Sequence, residues 1–462
     1  MPSGQALPLV DSPNVMPRRM RNHSLFTWLY PGMHIKRWLL LLVVGMTLLS
    51  LGAAYLFREA YLAYDFPGVA HYLTLQMIPR WARGVIFMCV ALGAVGIAFW
   101  KLNQSLLYAV VRPGAQNGSM AQSLYTKRVL SRGPRIVAIG GGTGLSVLLR
   151  GLKEHTSNLT AIVTVADDGG SSGRLRQDFG VVAPGDIRQC VAALAEAEPL
   201  MSRLFQYRFR SGDGLEGHSF GNLFIVAMAN VTGNFETAIH EASRVLNVRG
   251  NILPSTLVDV TLSARTQDDE LVHGEHNITE HGARIRELFL NPSDAEAHPD
   301  AVRAVLDADL VVIGPGSLYT SVLPNLLVED LRKALLSTSA QRLFVCNVAT
   351  QHGETDDFGV SDHIEAIERH TAPGLIEAVV ANNNVASLPE ELHSSPVTLA
   401  HPDARVFEHV RVVQADVVAG ENRYRHDFQK LAAAILDVYH GRENGALESE
   451  RTPAEEAVLV TR

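Results

Sequence analysis

The sequence predicts an α/β fold on a mainly parallel sheet, preceded by a pair of membrane-crossing helices. Three observations lead there. Short apolar runs recur along the chain, IVAIG at 136, AIVTVAD at 161, LVVIGPG at 310, LFVCNV at 343 and IEAVVANN at 376. Each ends in a polar turn and is followed by a helical pattern, the alternation of strands covered on both faces by helices. Two further stretches, Trp38 to Phe57 and Gly84 to Trp100, carry no charge and approach the roughly 20 residues that a helix needs to cross about 30 Å of hydrocarbon. Charged residues make up only 19% of the 462, and mean hydropathy is slightly positive at +0.08, as a chain with such stretches would have.

The remaining composition narrows function. A net charge of -8 argues against a nucleic-acid binder that works by neutralising phosphates. Cys89, Cys190 and Cys346 lie far apart with no CxxC pair, so neither a disulfide framework nor a thiolate zinc site is legible. A reducing compartment is expected.

In chain order, residues 1–37 form a basic segment with Arg18, Arg19, Arg21, Lys36 and Arg37, against Arg58, Arg80 and Arg83 between the two apolar stretches. That bias predicts a cytoplasmic N-terminus and a transmembrane helical hairpin over 38–100, with Trp81 and Trp100 as interface anchors. The expected location is the cell inner membrane, multi-pass, with the soluble domain in the cytoplasm. Residues 101–134, with PGAQNGS and SRGP, read as a linker, and 135–440 as one α/β domain. From 441 to 462 the alternating charges and weak apolar periodicity predict a disordered tail.

In such sheets ligands sit beyond the carboxyl ends of the strands, so the loops there are the candidate site. Gly140, Gly141, Gly142, Thr143 and Gly144 follow the first strand and open a helix, which lets backbone amides face an anion. The run is neither GxGxxG nor a Walker A loop. Asp167 and Asp168 end the second strand at about the spacing of a ribose-binding acid, and either ribose hydroxyls or a divalent cation would suit them. Ser171, Ser172 and Gly173 then offer hydroxyls and amides, and Arg174 and Arg176 guanidinium groups for phosphate.

PGDIR adds Asp186 and Arg188, GHSFGN adds His218, Ser219 and Asn222, and NVRGNILP adds Arg249. A lone histidine such as His218 is more often a hydrogen-bonded structural residue than a catalyst. Further on, DLVVIGPGSLYTS repeats the strand, glycine loop and helix start. There Gly314, Gly316 and Ser317 would supply amides and a hydroxyl, and Tyr319 would stack on a base or hydrogen-bond a sugar. Asn347 and the asparagines 382–384 end two later strands, with carboxamides suited to base or sugar. No Ser/His/Asp triad order, HExxH or close histidine cluster is present, so no catalytic residue and no metal ligand is assigned.

The motifs IGGGTGLSVLLRGLK, TVADDGGSSGRLR, PGDIR, EPLM, GHSFGNL, VLNVRG, VIGPGSLYTS, LPNLLV and CNVATQHGET, in that order over about 135–440, resemble the gluconeogenesis factor family (YvcK type). This is the bacterial branch of proteins like phospholactate transferase (CofD type). The resemblance implies a doubly wound, mainly parallel Rossmann-like core. It also implies that the core binds a nucleotide sugar, typically UDP-N-acetylglucosamine, and serves cell shape and wall synthesis under gluconeogenic growth. Implied partners are that nucleotide sugar, the membrane and a protein of cell-wall synthesis, with nucleic acid excluded and a homo-oligomer left open. No cofactor is required, although magnesium would suit a diphosphate. The alternative is a transferase acting on a nucleotide-linked phosphodiester. The motifs hold many anion and ribose binders but no general base with an oriented partner, which favours a regulatory binding protein.

Overall fold

The computed structural model describes residues 44–48, 50–56, 58–59, 77–110, 130–196, 199–385, 393–399, 401, 403–420 and 422–455. Contacts divide the chain into a unit ending at Tyr108 and a second unit from Ala109 onward.

In the first unit the main element is helix α1, Arg80–Val110. Among the described residues no helix is long and apolar enough to cross a membrane, so the expected hairpin is not found. The run from Gly84 to Trp100 lies inside α1, but seventeen uncharged residues extend only about 26 Å before Lys101. That falls short of the roughly 30 Å core. The earlier stretch is helical at 44–48 and 50–56, and the rest of it, with residues 1–37 and 111–129, lies outside the described residues.

The second unit is built on a seven-stranded sheet of order β10-β9-β8-β7-β1-β2-β3, parallel throughout. The five apolar runs become β1 (Ile136–Gly140), β2 (Leu159–Val163), β7 (Leu310–Ile313), β8 (Gln341–Val345) and β9 (Ala378–Asn382). All are buried almost throughout, as strands covered on both faces must be. Two edge strands, β3 (Asn251–Pro254) and β10 (Arg411–Ala415), were not anticipated, nor was a separate antiparallel sheet of β4 (Thr261–Thr266), β5 (Leu271–His273) and β6 (Ile285–Asn291). Their short, mixed sequences carry no continuous apolar run.

Strand β1 sits near the centre, with Ile136 paired to Leu159 on one side and to Leu310 on the other. The chain winds outward from β1 through β2 to β3, returns to β7 and winds outward again to β10. The direction therefore reverses between β1 and β7, and a crevice opens beyond their carboxyl ends. Helix α2 (Gly142–Leu152) covers β1 with Leu145, Leu148, Leu149 and Leu152, all fully buried at helical spacing. Each such leucine contributes roughly 1.5–3 kcal/mol by leaving water.

The crevice is framed further by α3 (Gly170–Phe179), α4 (Gly185–Leu194), α5 (Phe220–Thr232) and the short α6 (Glu275–His281). The last helix, α7, runs from Phe428 to Glu455, through most of the segment expected to be disordered. Its first half packs Leu431, Ile435 and Val438 into the core at helical spacing, and beyond residue 441 the sequence is rich in Ala, Leu, Glu and Arg, good helix formers. Residues 456–462 lie outside the described residues.

Candidate functional site

The loops after β1 and β7 press directly on each other. A Cβ added at Gly144 would stand 2.5 Å from the Pro315 carbonyl oxygen, so only glycine fits. At Gly141 a side chain would collide with the Asp186 carboxylate. Helix α2 starts at Gly142, which leaves the amides of Thr143 and Gly144 without an intrahelical acceptor and turned to the crevice mouth.

The second loop is less open than its sequence promised. The Gly314 amide donates to Ile139, and the Gly316 amide donates to Asn347 Oδ1 at 3.2 Å. Asn347 Nδ2 donates back to the Gly316 carbonyl at 2.8 Å, and Ser317 Oγ donates to Gln351 at 2.5 Å. Asn347 is thus a brace for Gly316, and the amides expected for ligand are mostly taken. Tyr319, expected to stack on a base, is instead 1% exposed and packs edge-on against Phe358 and His370. Burial pushes its hydroxyl up to about 12.

The acid pair separates. Asp168 accepts the amides of Glu275 at 3.1 Å and His276 at 2.9 Å, capping α6. Asp167 accepts the Gly169 amide at 3.0 Å and turns its other oxygen to Gly185, beside Ser172 Oγ. It thereby faces Asp186. Burial and the Asp167 charge push Asp186 up to about 7, while the Gly142 amide and Arg188 pull the other way. Glu275, a residue the sequence reading did not single out, is pushed up to about 8 by burial and by Asp167, Glu354, Asp168 and Asp186. Among the described residues no three His, Cys, Asp or Glu side chains converge as metal ligands would.

Arg188 is half-buried at the start of α4. Its Nε donates to Asn222 Oδ1 at 2.9 Å, and neither Nη has a partner among the described residues. Arg174 is exposed and donates to the Glu216 carbonyl at 2.8 Å. Arg176 points away: it is 8% exposed, donates to the Val260 carbonyl and pairs with Asp259. Gly173 donates its amide to Gly169 within α3, and Ser171 is buried against His218 and Asn222. Arg249 pairs with Glu196 at the surface of another loop.

Beyond the glycine loops lies a cavity of about 440 Å³, inside the roughly 300–1,000 Å³ usual for small-molecule sites. Its walls are Thr143 and Gly144, Pro315 to Ser317, Asn347 to His352, and Tyr424, Arg425 and His426. A larger groove of about 1070 Å³ runs along the opposite, amino-terminal ends of β1 and β3 and touches none of the glycine loops. The smaller cavity is the candidate site because it lies at the switch point.

Two features at or behind the walls of this cavity escaped sequence reasoning. Glu354 is buried and accepts from Thr320 Oγ1, Gln351 Nε2 and the Tyr319 amide at 3.0, 2.7 and 3.3 Å. Burial pushes it up to about 7. It lies in the CNVATQHGET motif, and a glutamate between Gly353 and Thr355 in a strand-end loop was the available signal. His426 donates Nε2 to the Cys346 carbonyl, and burial pushes it down to about 4. Nothing in the sequence around Tyr424 to His426 announced that this segment folds back over the loop after β8.

The model of the family described as 2-phospho-L-lactate transferase CofD matches residues 136–421. A relative from Nostoc sp. (strain PCC 7120), provisionally named a gluconeogenesis factor, is 44% identical over 437 residues, covering 92% of this chain and 95% of its own. The gluconeogenesis factor of Bacillus subtilis (strain 168) is 44% identical over 313 residues, covering 66% of this chain and 98% of its own. A crystal structure of a UPF0052-family protein from Bacillus halodurans matches with a TM-score of 0.62 and 42% identity, over 66% of this chain and 99% of that one.

Proposed function

The chain belongs to the CofD family, among relatives named gluconeogenesis factor, and from that premise we propose that it binds UDP-N-acetylglucosamine or a related nucleotide sugar at the crevice beyond β1 and β7. Binding regulates envelope synthesis and cell shape during gluconeogenic growth. The observation that carries the reading is Arg188, whose Nε is held by Asn222 and whose charge acts on Asp186, the carboxylate that takes the Gly142 amide at the α2 start. Amides plus a guanidinium suit a diphosphate, and the 440 Å³ cavity next to them has room for the rest of the ligand. Isothermal titration of the full chain with UDP-sugars, GDP and NAD, with and without magnesium, tests it. The expected result is binding of a UDP-sugar; binding of NAD alone would overturn the reading.

A second reading, a transferase acting on a nucleotide-linked phosphodiester, is favoured by one observation. Asp186, held near 7, has the proton affinity of a general base at neutral pH. Release of UDP or UMP from UDP-N-acetylglucosamine with candidate acceptors, lost in Asp186→Asn, would establish it.

For location we propose the cytoplasmic face of the inner membrane, where a ligand-ordered surface meets a cell-wall-synthesis protein. The arginine bias of residues 18–37 and the exposed Trp81, Phe87, Met88 and Leu92 of α1 support this. Recovery of the full chain in the soluble fraction of lysed cells would overturn it.

A further inference from the structure

We propose that Ser171 and His218 are positioning residues for Arg188, and that protonation of His218 releases Arg188 from its diphosphate-binding pose. The inference rests on the crevice reading above for its ligand, and on geometry for its mechanism. Arg188 Nε donates to Asn222 Oδ1 at 2.9 Å, Asn222 Nδ2 donates to Ser171 Oγ at 3.1 Å, and Ser171 Oγ meets His218 Nδ1 at 3.0 Å. The Ser219 amide also donates to Ser171 Oγ, at 3.4 Å.

A hydroxyl has one proton and two lone pairs. Both lone pairs of Ser171 receive an N–H, so its own proton goes to Nδ1, and His218 must be a neutral ring with Nδ1 as acceptor. That fixes Asn222, because a reversed carboxamide would turn its NH₂ against the Arg188 N–H. Ser171, His218 and Asn222 are 4%, 5% and 2% exposed, so water has little access to replace a lost bond. The Arg188 stem lies over Gly221, where an added Cβ would stand 2.7 Å from its Cδ. Asn222 itself is anchored by the α5 cap, its amide donating to Ser219 Oγ at 3.2 Å.

Protonation adds an N–H at Nδ1, and three donors then face two lone pairs. The Asn222 carboxamide is the group free to turn, and it takes Arg188 with it. The charged groups facing His218 are Arg174 from α3 and Arg208 from the preceding loop, which disfavour a second proton, and Asp178 from α3, which favours it. Burial acts with the arginines, so the ring titrates below the ordinary histidine value. Release therefore belongs to mildly acidic pH.

The test is titration of the full chain with two probes, UDP-N-acetylglucosamine and inorganic pyrophosphate, at pH 7.5 and 5.5. Arg188→Gln is expected to weaken both probes about ten- to hundredfold at pH 7.5, as loss of a charge-assisted phosphate contact does. His218→Leu removes the acceptor and should bind weakly at both pH values. His218→Asn places an oxygen where Nδ1 stood and does not titrate. It should match the wild type at pH 7.5 and exceed it at pH 5.5, a comparison in which pyrophosphate's own titration cancels. Pyrophosphate binding with this pattern, but no binding of the sugar, would sink the sugar reading and leave the switch standing. Parallel pH profiles in wild type and His218→Asn would overturn the switch, as would an Arg188→Gln that binds like wild type. Binding of neither probe by the wild type would overturn both.

Discussion

The wall of the crevice formed by the loops after β1 and β7 is held by backbone packed on backbone and by side chains clamped onto that backbone, whereas the wall formed by the starts of α3, α4 and α5 is held by a single file of side chains. Gly144 against Pro315 and Asn347 around Gly316 typify the first. Arg188, Asn222, Ser171 and His218 form the second. Backbone contacts leave no room for an added methyl group and do not titrate. A hydrogen-bonded file tolerates substitutes of similar shape but depends on the protonation state of its one titrating member, His218. The first wall should therefore fail by unfolding, and the second by losing ligand while folded.

The largest effect that would sharpen this contrast is at Glu354, which braces the backbone wall. Glu354→Ala leaves Thr320, Gln351 and the Tyr319 amide without their acceptor. The expected loss is about 3 kcal/mol or more, since buried groups left unpaired cost roughly 1–3 kcal/mol each. Denaturant unfolding measures it, and a loss below 1 kcal/mol would mean that the loop after β7 does not depend on this carboxylate. Gly144→Ala follows at about 1–3 kcal/mol, the usual cost of forcing a methylene into a packed site. A fully stable Gly144→Ala would break the picture of two loops in hard contact.

Next comes pH. Asp186 is raised from 3.8 to about 7, Glu354 from 4.5 to about 7, and Glu275 from 4.5 to about 8. A raised folded pKa means that the native state holds more protons than the unfolded chain across that interval. Stability is fullest below the ordinary carboxylate range and is lost as pH rises through about 7 to 8. The melting temperature should fall between pH 6 and 8.5, and Asp186→Asn should flatten part of that slope. A melting temperature that rises over the same range would show that these carboxylates are better solvated than their burial implies.

The contrast between the walls also explains what was legible in the sequence. Apolar runs give five of seven parallel strands because a strand buried on both faces has few alternatives to Val, Ile and Leu. Glycine loops announce close backbone approach, so the 140s and 310s loops were visible as a site. What stayed hidden was which partner each polar atom takes. Tyr319 reads as a ligand contact from its place after a glycine loop and Asn347 from its place at a strand end, yet one is buried in the core and the other cradles Gly316. His218 and Ser171 lie 47 residues apart, and no local pattern states that they meet.

The smallest expected effect separates the two aspartates. Adjacent acids at a strand end look like one functional unit, but their side chains serve different elements. Asp168 gives both oxygens to the first amides of α6, so Asp168→Ala should cost about 1 kcal/mol of stability, the usual value of a helix cap. Its effect on ligand affinity should be slight. Asp167 instead stands near Asp186 and raises it. Asp167→Asn removes that repulsion, so Asp186 should titrate lower and ionise more fully at neutral pH, and a diphosphate should meet a net loss of less than one negative charge. Affinity for UDP-N-acetylglucosamine should then rise by about two- to fivefold, a fraction of a kcal/mol up to about 1. Titrating both variants decides it: equal losses of affinity would show that the two acids contact the ligand as a pair, and that the capping of α6 is secondary to binding.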